Sequence, residues 1–101
     1  MEFRDLEYFA VLAQHGHVGR AAEALGLSQP ALSLSLRRLE DAVDAILVKR
    51  TPKGVELTTT GAALIARLER FRRAREDVLR EIADLSAGKA GILRIGAHPG
   101  V

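Results

Sequence analysis

The sequence predicts a mainly α fold in which four amphipathic helices accompany one small β-hairpin. Apolar residues recur at helical spacing in four segments of the 101-residue chain, whereas only one short pair of segments alternates like strands. Hydrophobic residues make up 48% of the chain and aromatic residues only 4%, so the core has to be built from aliphatic side chains, which suit helices. This length has room for one small domain and an appended element.

The first two helices are short and have recognisable ends. The first carries its apolar face within residues 3–13 and stops at Gly16, which can supply a left-handed cap. The second is expected from about residue 20 to residue 25, with Gly19 as its N-cap and Gly26 after its end. A tight turn should therefore lead from the second helix into the next one.

The third helix completes the pattern of a helix-turn-helix. Ser28 is a good N-cap, and Pro30 lies in the first turn, where its missing N–H costs nothing. Ala21 and Ala22 are small enough for the second and third helices to cross closely. The apolar positions of the third helix are Leu32, Leu36, Leu39 and Val43. Two helices around a turn at residues 26–28 in this pattern indicate a helix-turn-helix.

The other side of the third helix favours DNA as a partner. A helix packed through those leucines must expose Gln29, Pro30, Ser33, Leu34, Arg37 and Arg38. One helix fits the major groove of DNA, and its N-terminal residues reach the base edges. Gln29 can pair with adenine through two hydrogen bonds, Ser33 can bond to either base type, and the apolar Leu34 can touch a thymine methyl. Phosphate contacts are predicted for Arg20, Arg37 and Arg38.

Residues 46–57 are expected to form a hairpin with a basic tip. Two short alternating segments flank a turn that contains Pro and Gly, and such a tip can approach the DNA backbone or the minor groove. The predicted contacts of this hairpin are made by Arg50, Thr51 and Lys53. As an alternative, Arg50 ties the hairpin to the domain by pairing with Glu40 or Asp41.

A long helix follows the hairpin and ends before Gly88. At 1.5 Å per residue it would be a rod of roughly 40 Å. Its apolar heptad positions are Leu64, Leu68, Phe71, Val78, Ile82 and Leu85, with Arg75 at the one polar position. This seam predicts a two-fold dimer. The basic run at residues 67–75 is interpreted as a solvated face supported by acidic neighbours, with DNA contact as the alternative.

Several of these residues together resemble the N-terminal domain of LysR-type transcriptional regulators. The matching residues are Arg20-Ala21-Ala22, Leu25, Ser28-Gln29-Pro30-Ala31-Leu32-Ser33, Arg38-Leu39-Glu40, Arg50-Thr51, Leu57-Thr58 and Gly61. The resemblance covers residues 1 to about 90. It implies a winged helix-turn-helix at residues 1–58 and a linker helix at residues 59–87 that dimerises in an antiparallel arrangement. Residues 88–101 would be a hinge and the first strand of an effector-binding domain.

The resemblance also implies partners and marks four departures. The expected partner is double-stranded operator DNA with an inverted repeat, bound by a homodimer. A full-length protein would form a tetramer and bind a small-molecule effector through a further domain. The family's usual residues are replaced by Asp44, Val48, Gly19 and Leu34. The lone alternating segment at residues 92–97 has no sheet to join, which fits a chain that is part of something larger.

Other functions find little support in the residues. No cysteine is present, which excludes disulfides and thiolate metal sites. His15 and His17 lack a third ligand at suitable spacing, so a surface or capping role is expected for both. No catalytic arrangement and no cofactor is predicted, and neither a membrane span nor a secretory signal, so the cytoplasm is expected. A protein-interaction module without DNA binding and an enzyme fragment remain the alternatives.

Overall fold

The structure is a computed structural model that describes residues 1–89 and has a mainly α fold with one two-stranded sheet. The first three helices are α1 (Phe3–His15), α2 (Val18–Leu25) and α3 (Gln29–Val43). The hairpin strands β1 (Val48–Thr51) and β2 (Gly54–Leu57) are followed by α4 (Thr59–Asp84) and a π-helical segment, Leu85–Lys89. The strand expected at residues 92–97 lies outside the described residues.

Apart from Phe9, the buried core is aliphatic, as the composition predicts. Its buried hydrophobic residues are Phe9, Leu12, Ala21, Ala22, Leu32, Leu36, Leu39, Leu47 and Val48. Ala21 and Ala22 are fully buried in α2, where the absence of larger side chains lets the neighbouring helices approach closely. These contacts pack α1, α2 and α3 around a single centre and leave the opposite face of α3 in solvent.

The start of α2 differs from the sequence-based prediction. The helix begins at Val18 rather than near Arg20, and its N-cap is His17 rather than Gly19. The His17 side chain accepts a hydrogen bond from the Arg20 backbone N–H through Nδ1 at 3.4 Å, which satisfies a donor that the first turn leaves unpaired. The capping role expected for this histidine is therefore confirmed, whereas Gly19 lies inside the helix.

The hairpin is fixed to the rest of the domain by backbone contacts. Val48 pairs with Leu57 in an antiparallel register, so β1 begins two residues later than predicted. The Val55 N–H donates to the Gly16 carbonyl oxygen at 2.9 Å. Gly54 has a φ of 134°, and a Cβ on it would overlap that same carbonyl, so a side chain is excluded here on both grounds.

The start of α4 is held against the segment that precedes β1. The Thr58 hydroxyl donates to the Ile46 carbonyl at 2.7 Å and accepts from the Gly61 N–H at 3.0 Å. A Cβ on Gly61 would overlap the Leu47 carbonyl oxygen, so the two backbones meet where only glycine fits. The first turns of α4 thus belong to a compact unit that comprises Met1–Leu68, and a second unit starts at Glu69.

The small residues at positions 86–91 predict a flexible linker, but residues 86–89, its described part, are helical. Helical hydrogen bonding continues beyond Asp84 as the π-helical segment Leu85–Lys89. No proline interrupts the chain there, and the Ser, Ala and Gly residues have small side chains that a wider helical turn accommodates.

We expect Gly61→Ala to destabilise the chain by about 1–3 kcal/mol, because the added methyl forces the Leu47 backbone to move. Thermal or urea unfolding followed by circular dichroism measures the change. Gly88→Ala is the matched control, since a Cβ at Gly88 meets nothing within 4 Å. Equal stability of the two variants would contradict the close approach at Gly61.

Candidate nucleic-acid interface

Helix α3 divides into a buried and an exposed side, as the leucine spacing predicts. The buried side consists of Leu32, Ser35, Leu36 and Leu39. The exposed side carries Gln29, Pro30, Ala31, Leu34, Arg37 and Arg38, with Ser33 half-buried beside them. All six side chains that the sequence assigns to this face are therefore reachable from solvent. They combine hydrogen-bonding, apolar and cationic groups within three turns of one helix.

The N-terminal end of α3 is shaped by its cap. The Ser28 hydroxyl oxygen accepts from the Ala31 N–H at 3.2 Å, and Pro30 occupies the first turn, where no N–H is needed. Ser28 is exposed, and its hydroxyl hydrogen is still available as a donor to a ligand. Its first role is thus structural, and a major-groove contact, which the sequence also predicts for Ser28, would use that hydrogen.

Gln29 lies beside the N-terminus of α2. Its side-chain nitrogen is 3.3 Å from where a Cβ would sit on Gly19, and the His17 ring is at 3.2 Å from the same point. The missing side chain at Gly19 therefore leaves the space into which the Gln29 carboxamide fits. Arg20, one residue farther along α2, is exposed on the surface.

A buried carboxylate under α3 is the feature that sequence reasoning missed. Asp5 of α1 is 1% exposed, whereas the other acidic side chains within residues 1–89 are exposed or half-buried. Its Oδ1 accepts hydrogen bonds from the Ser35 hydroxyl and from Arg38 Nη2, the latter at 3.0 Å. The Arg38 side chain keeps 44% of its surface exposed, so one face of the guanidinium is anchored and the other faces solvent.

These contacts keep Asp5 ionised. Burial by itself would raise the pKa of the Asp5 carboxyl, but the hydrogen bonds from Arg38, Ser35 and the Glu2 N–H outweigh that effect. The resulting pKa lies below the ordinary value of 3.8. The signal that could have found this group is an acidic residue three positions after Glu2 on the apolar side of α1, next to Leu6, Phe9 and Leu12.

Charge changes sign along α3. Arg37 and Arg38 follow the polar N-terminal half, whereas an open cleft at the C-terminal end is lined by Arg37, Glu40, Asp41, Asp44, Ala45 and Ile46. Glu40 accepts from the Leu47 N–H at 2.7 Å and so holds the segment before β1. An anionic polymer is therefore favoured along the N-terminal two-thirds of the helix and repelled at its end.

The tip of the hairpin presents cations on a fixed turn. Thr51 Oγ1 donates to the Gly54 carbonyl at 3.0 Å and accepts from the Lys53 N–H at 3.2 Å, so this side chain shapes the turn. Arg50 and Lys53 are exposed. Within residues 1–89 the ion pairs are Arg38–Asp5, Arg72–Glu69 and Arg80–Asp77, and no Arg50 pair with Glu40 or Asp41 is among them.

The predicted seam of α4 is divided between the two compact units. Leu68 is 5% exposed, and Leu64 packs against the core of the first unit, so both are already covered within one chain. In the second unit the exposed apolar side chains are Phe71, Val78, Leu79, Ile82 and Leu85. Leu79 lies outside the predicted heptad positions. The basic run carries at least one acidic neighbour in contact, since Arg72 and Glu69 are 3.8 Å apart.

The described part of the chain contains neither a metal-binding cluster nor a membrane-spanning helix. Within residues 1–89, no group of three or more His, Asp or Glu side chains is placed to hold a metal ion. No helix in the same range has the length and apolar character needed to cross a membrane.

Comparison with known families identifies this arrangement. Residues 3–62, more than half of the chain, match the family of bacterial regulatory helix-turn-helix proteins of the lysR type. The chain belongs to the LysR family. The Ser28–Ser33 run and the hairpin described above both lie within the matched region.

Relatives of this LysR-family chain are transcriptional regulators. The chain is 40% identical to the regulator BudR of Klebsiella aerogenes over 95% of its own length and 67% of BudR. It is 39% identical to the SDS degradation transcriptional activation protein of Pseudomonas sp. over 97% of its length, but spans only 32% of that protein. Its fold matches that of the CbnR DNA-binding domain in a complex with DNA, with a TM-score of 0.67 and 34% identity. The match covers 82% of this chain and 99% of the CbnR domain.

We expect Asp5→Asn to cost about 2 kcal/mol at neutral pH, because it removes the charge that pairs with Arg38. The pKa of Asp5 is lower in the folded chain than in the unfolded one, so its contribution is present above pH 4 and is lost as the pH falls through the folded value. Urea unfolding at pH 7 and at pH 3 measures this: the difference between wild type and variant should shrink in acid. Asp77→Asn, which removes an exposed pair with Arg80, should change little at either pH.

Proposed function

We propose that the chain binds double-stranded DNA in a sequence-specific manner, as the DNA-binding part of a bacterial LysR-type transcriptional regulator. The observation that carries the proposal is the exposed side of α3, where Gln29, Ser33, Arg37 and Arg38 lie opposite the buried leucines. A related DNA-binding domain, that of CbnR, forms a complex with DNA. The proposal makes α3 the recognition helix in the major groove.

The N-terminal half of α3 is the part that discriminates between bases. Gln29 can donate and accept one hydrogen bond each, which matches the N6 and N7 groups of adenine. Ser33 can bond to either base type, and Pro30 brings the helix backbone close to the groove. These residues surround the capped N-terminus of α3, where backbone N–H groups and the helix dipole favour an adjacent phosphate.

Backbone contacts come from cations around that centre. Arg20, Arg37 and Arg38 are exposed near the reading residues and suit phosphate groups. The tip of the hairpin, which is the wing of the winged helix-turn-helix, adds Arg50 and Lys53. Their proposed partner is the DNA backbone or the edge of the minor groove. Such contacts position the protein and carry little sequence information.

A homodimer through α4 would present two such surfaces. Support comes from the exposed apolar side chains of the second unit, among them Ile82, which is 55% exposed. A two-fold arrangement reads an inverted repeat, with recognition helices about one DNA turn, roughly 34 Å, or a multiple of it apart. We infer an antiparallel helix pair, and for a full-length protein a tetramer whose effector-binding domain takes a small molecule.

From a role on bacterial DNA we infer a cytoplasmic location and a function without catalysis. The chemistry of the proposed site is recognition alone, with hydrogen bonds, methyl contacts and ion pairs. The relatives are transcriptional regulators, which agrees with a binding module rather than an enzyme.

We expect Gln29→Ala to weaken binding to the preferred DNA site by about 1–3 kcal/mol, because the two hydrogen bonds from the Gln29 carboxamide to one base are lost. The base preference should also relax at one base pair per half-site. The preferred site is first selected from random duplexes with the wild-type chain. Affinities for that site and for single-base variants are then measured at fixed salt.

Lys53→Ala serves as the control on the same duplexes. Since Lys53 is assigned a phosphate contact, its loss should weaken binding to all DNA sequences alike. The slope of log K against log salt concentration should also fall by about one per chain. If Gln29→Ala instead lost the same affinity for the preferred site and for random DNA, Gln29 would be a contact that positions the protein and does not read a base. Failure of the wild type to select any duplex would favour a protein-interaction module.

We expect the chain to sediment as a dimer at micromolar concentration and Ile82→Asp to sediment as a monomer, because a carboxylate in an apolar seam has no partner. Ile46→Asp is the matched control, since Ile46 is also exposed but lies in the first unit. A wild-type monomer, or an equal effect of both substitutions, would argue against the α4 seam.

A further inference from the structure

Leu34 is the large apolar side chain on the outer side of α3. It is 51% exposed at the middle of the outer side of α3. Leu32 and Leu36 are each two residues away and both are buried. Two residues on a helix differ by about 200° around its axis, so Leu34 points away from the core that holds those two leucines. Its exposure follows from its position in the helix and is not a defect of packing.

The neighbours of Leu34 indicate what covers it. Pro30 and Ala31 precede it by four and three residues, so they share its face and form with it a small apolar strip. Arg37 and Arg38 follow it by three and four residues and border the strip on the C-terminal side. An apolar strip bordered by cations fits a surface that offers apolar groups between phosphates. An uncharged protein groove would offer no anionic partner to Arg37, nor to the face of the Arg38 guanidinium that points away from Asp5.

We propose that Leu34 reads the 5-methyl group of a thymine in each DNA half-site. The proposal rests on the DNA-binding function proposed above and makes it more specific. In the major groove the thymine methyl is the apolar group among hydrogen-bond donors and acceptors. Leucine has no polar atom in its side chain, so any other base edge covered by it would lose water without gaining a hydrogen bond.

The helix geometry limits where this thymine lies. Leu34 is five residues from Gln29, which is about 7.5 Å along the axis of α3. Base pairs are stacked about 3.4 Å apart, so the two side chains reach positions within about two base pairs of each other. The preferred half-site should therefore combine a position read by Gln29 with a thymine close to it on either strand.

Replacing thymine by deoxyuridine removes the methyl group and leaves all hydrogen-bonding groups of the base in place. After selection of the preferred duplex with the wild-type chain, each thymine of one half-site is replaced singly by deoxyuridine and the Kd is measured. We expect one replacement near the Gln29-dependent position to raise the Kd about four-fold, the change that corresponds to burying one methyl group. In Leu34→Ala the thymine and deoxyuridine duplexes should bind with equal affinity.

Ile46→Ala is the matched control, because it also shortens an exposed aliphatic side chain of the same unit. Ile46→Ala should retain the full four-fold difference in Kd between the thymine and deoxyuridine duplexes. The role of Leu34 is overturned if no replacement in the wild type changes the Kd, or if the methyl effect persists in Leu34→Ala. In both cases the wild type still binds its selected duplex. Failure to bind any duplex would overturn the DNA-binding function itself, so the two failures are distinguishable.

Discussion

Burial of one side of α3 is the constraint on which the rest of the structure depends. Leu32, Leu36 and Leu39 pack in one buried cluster with residues of α1 and α2, and the small residues of α2 let the helices approach closely. Once those leucines are buried, the rotation of α3 about its axis is restricted to a narrow range. Every other side chain of the helix then has a set direction, and the outer surface follows from the core.

Leucine packing alone permits small rotations and shifts, because apolar contacts are not directional. The Asp5 carboxylate adds direction, since one of its oxygens binds both Ser35 and Arg38 of α3. A shift of α3 by one residue would leave that charge buried without partners, which is far more costly than a loss of apolar contact. The same ion pair partly neutralises Arg38. The uncompensated positive charge near the recognition surface therefore comes from Arg20, Arg37 and the wing.

Much of the fold was predictable because it depends on local signals. Helix periodicity, the Ser28 cap and the turn glycines gave the order of elements and the exposed side of α3. The position of Asp5 on the apolar side of α1 is a local signal of its burial, but its partners lie 30 and 33 residues away, and no local pattern reveals them.

The N-cap of α2 was misassigned because glycine is an acceptable cap by propensity, whereas the imidazole of His17 reaches the open N–H. The heptad pattern also treats all apolar residues of α4 alike. Only the three-dimensional structure shows that Leu64 packs against the core of the first unit and that Leu68 is buried.

The attachment of the hairpin and of α4 is separate from the side chains that read bases in this domain. The wing is attached through the Gly16 carbonyl, and α4 approaches the chain at Gly61, so both attachments are made by backbone atoms. The side chains assigned to DNA, such as Gln29 and Leu34, take no part in those attachments. A leucine can therefore occupy position 34, because the core and the hairpin do not depend on it. The sequence preference of such a domain can change by substitution on one side of α3 while its stability stays nearly constant.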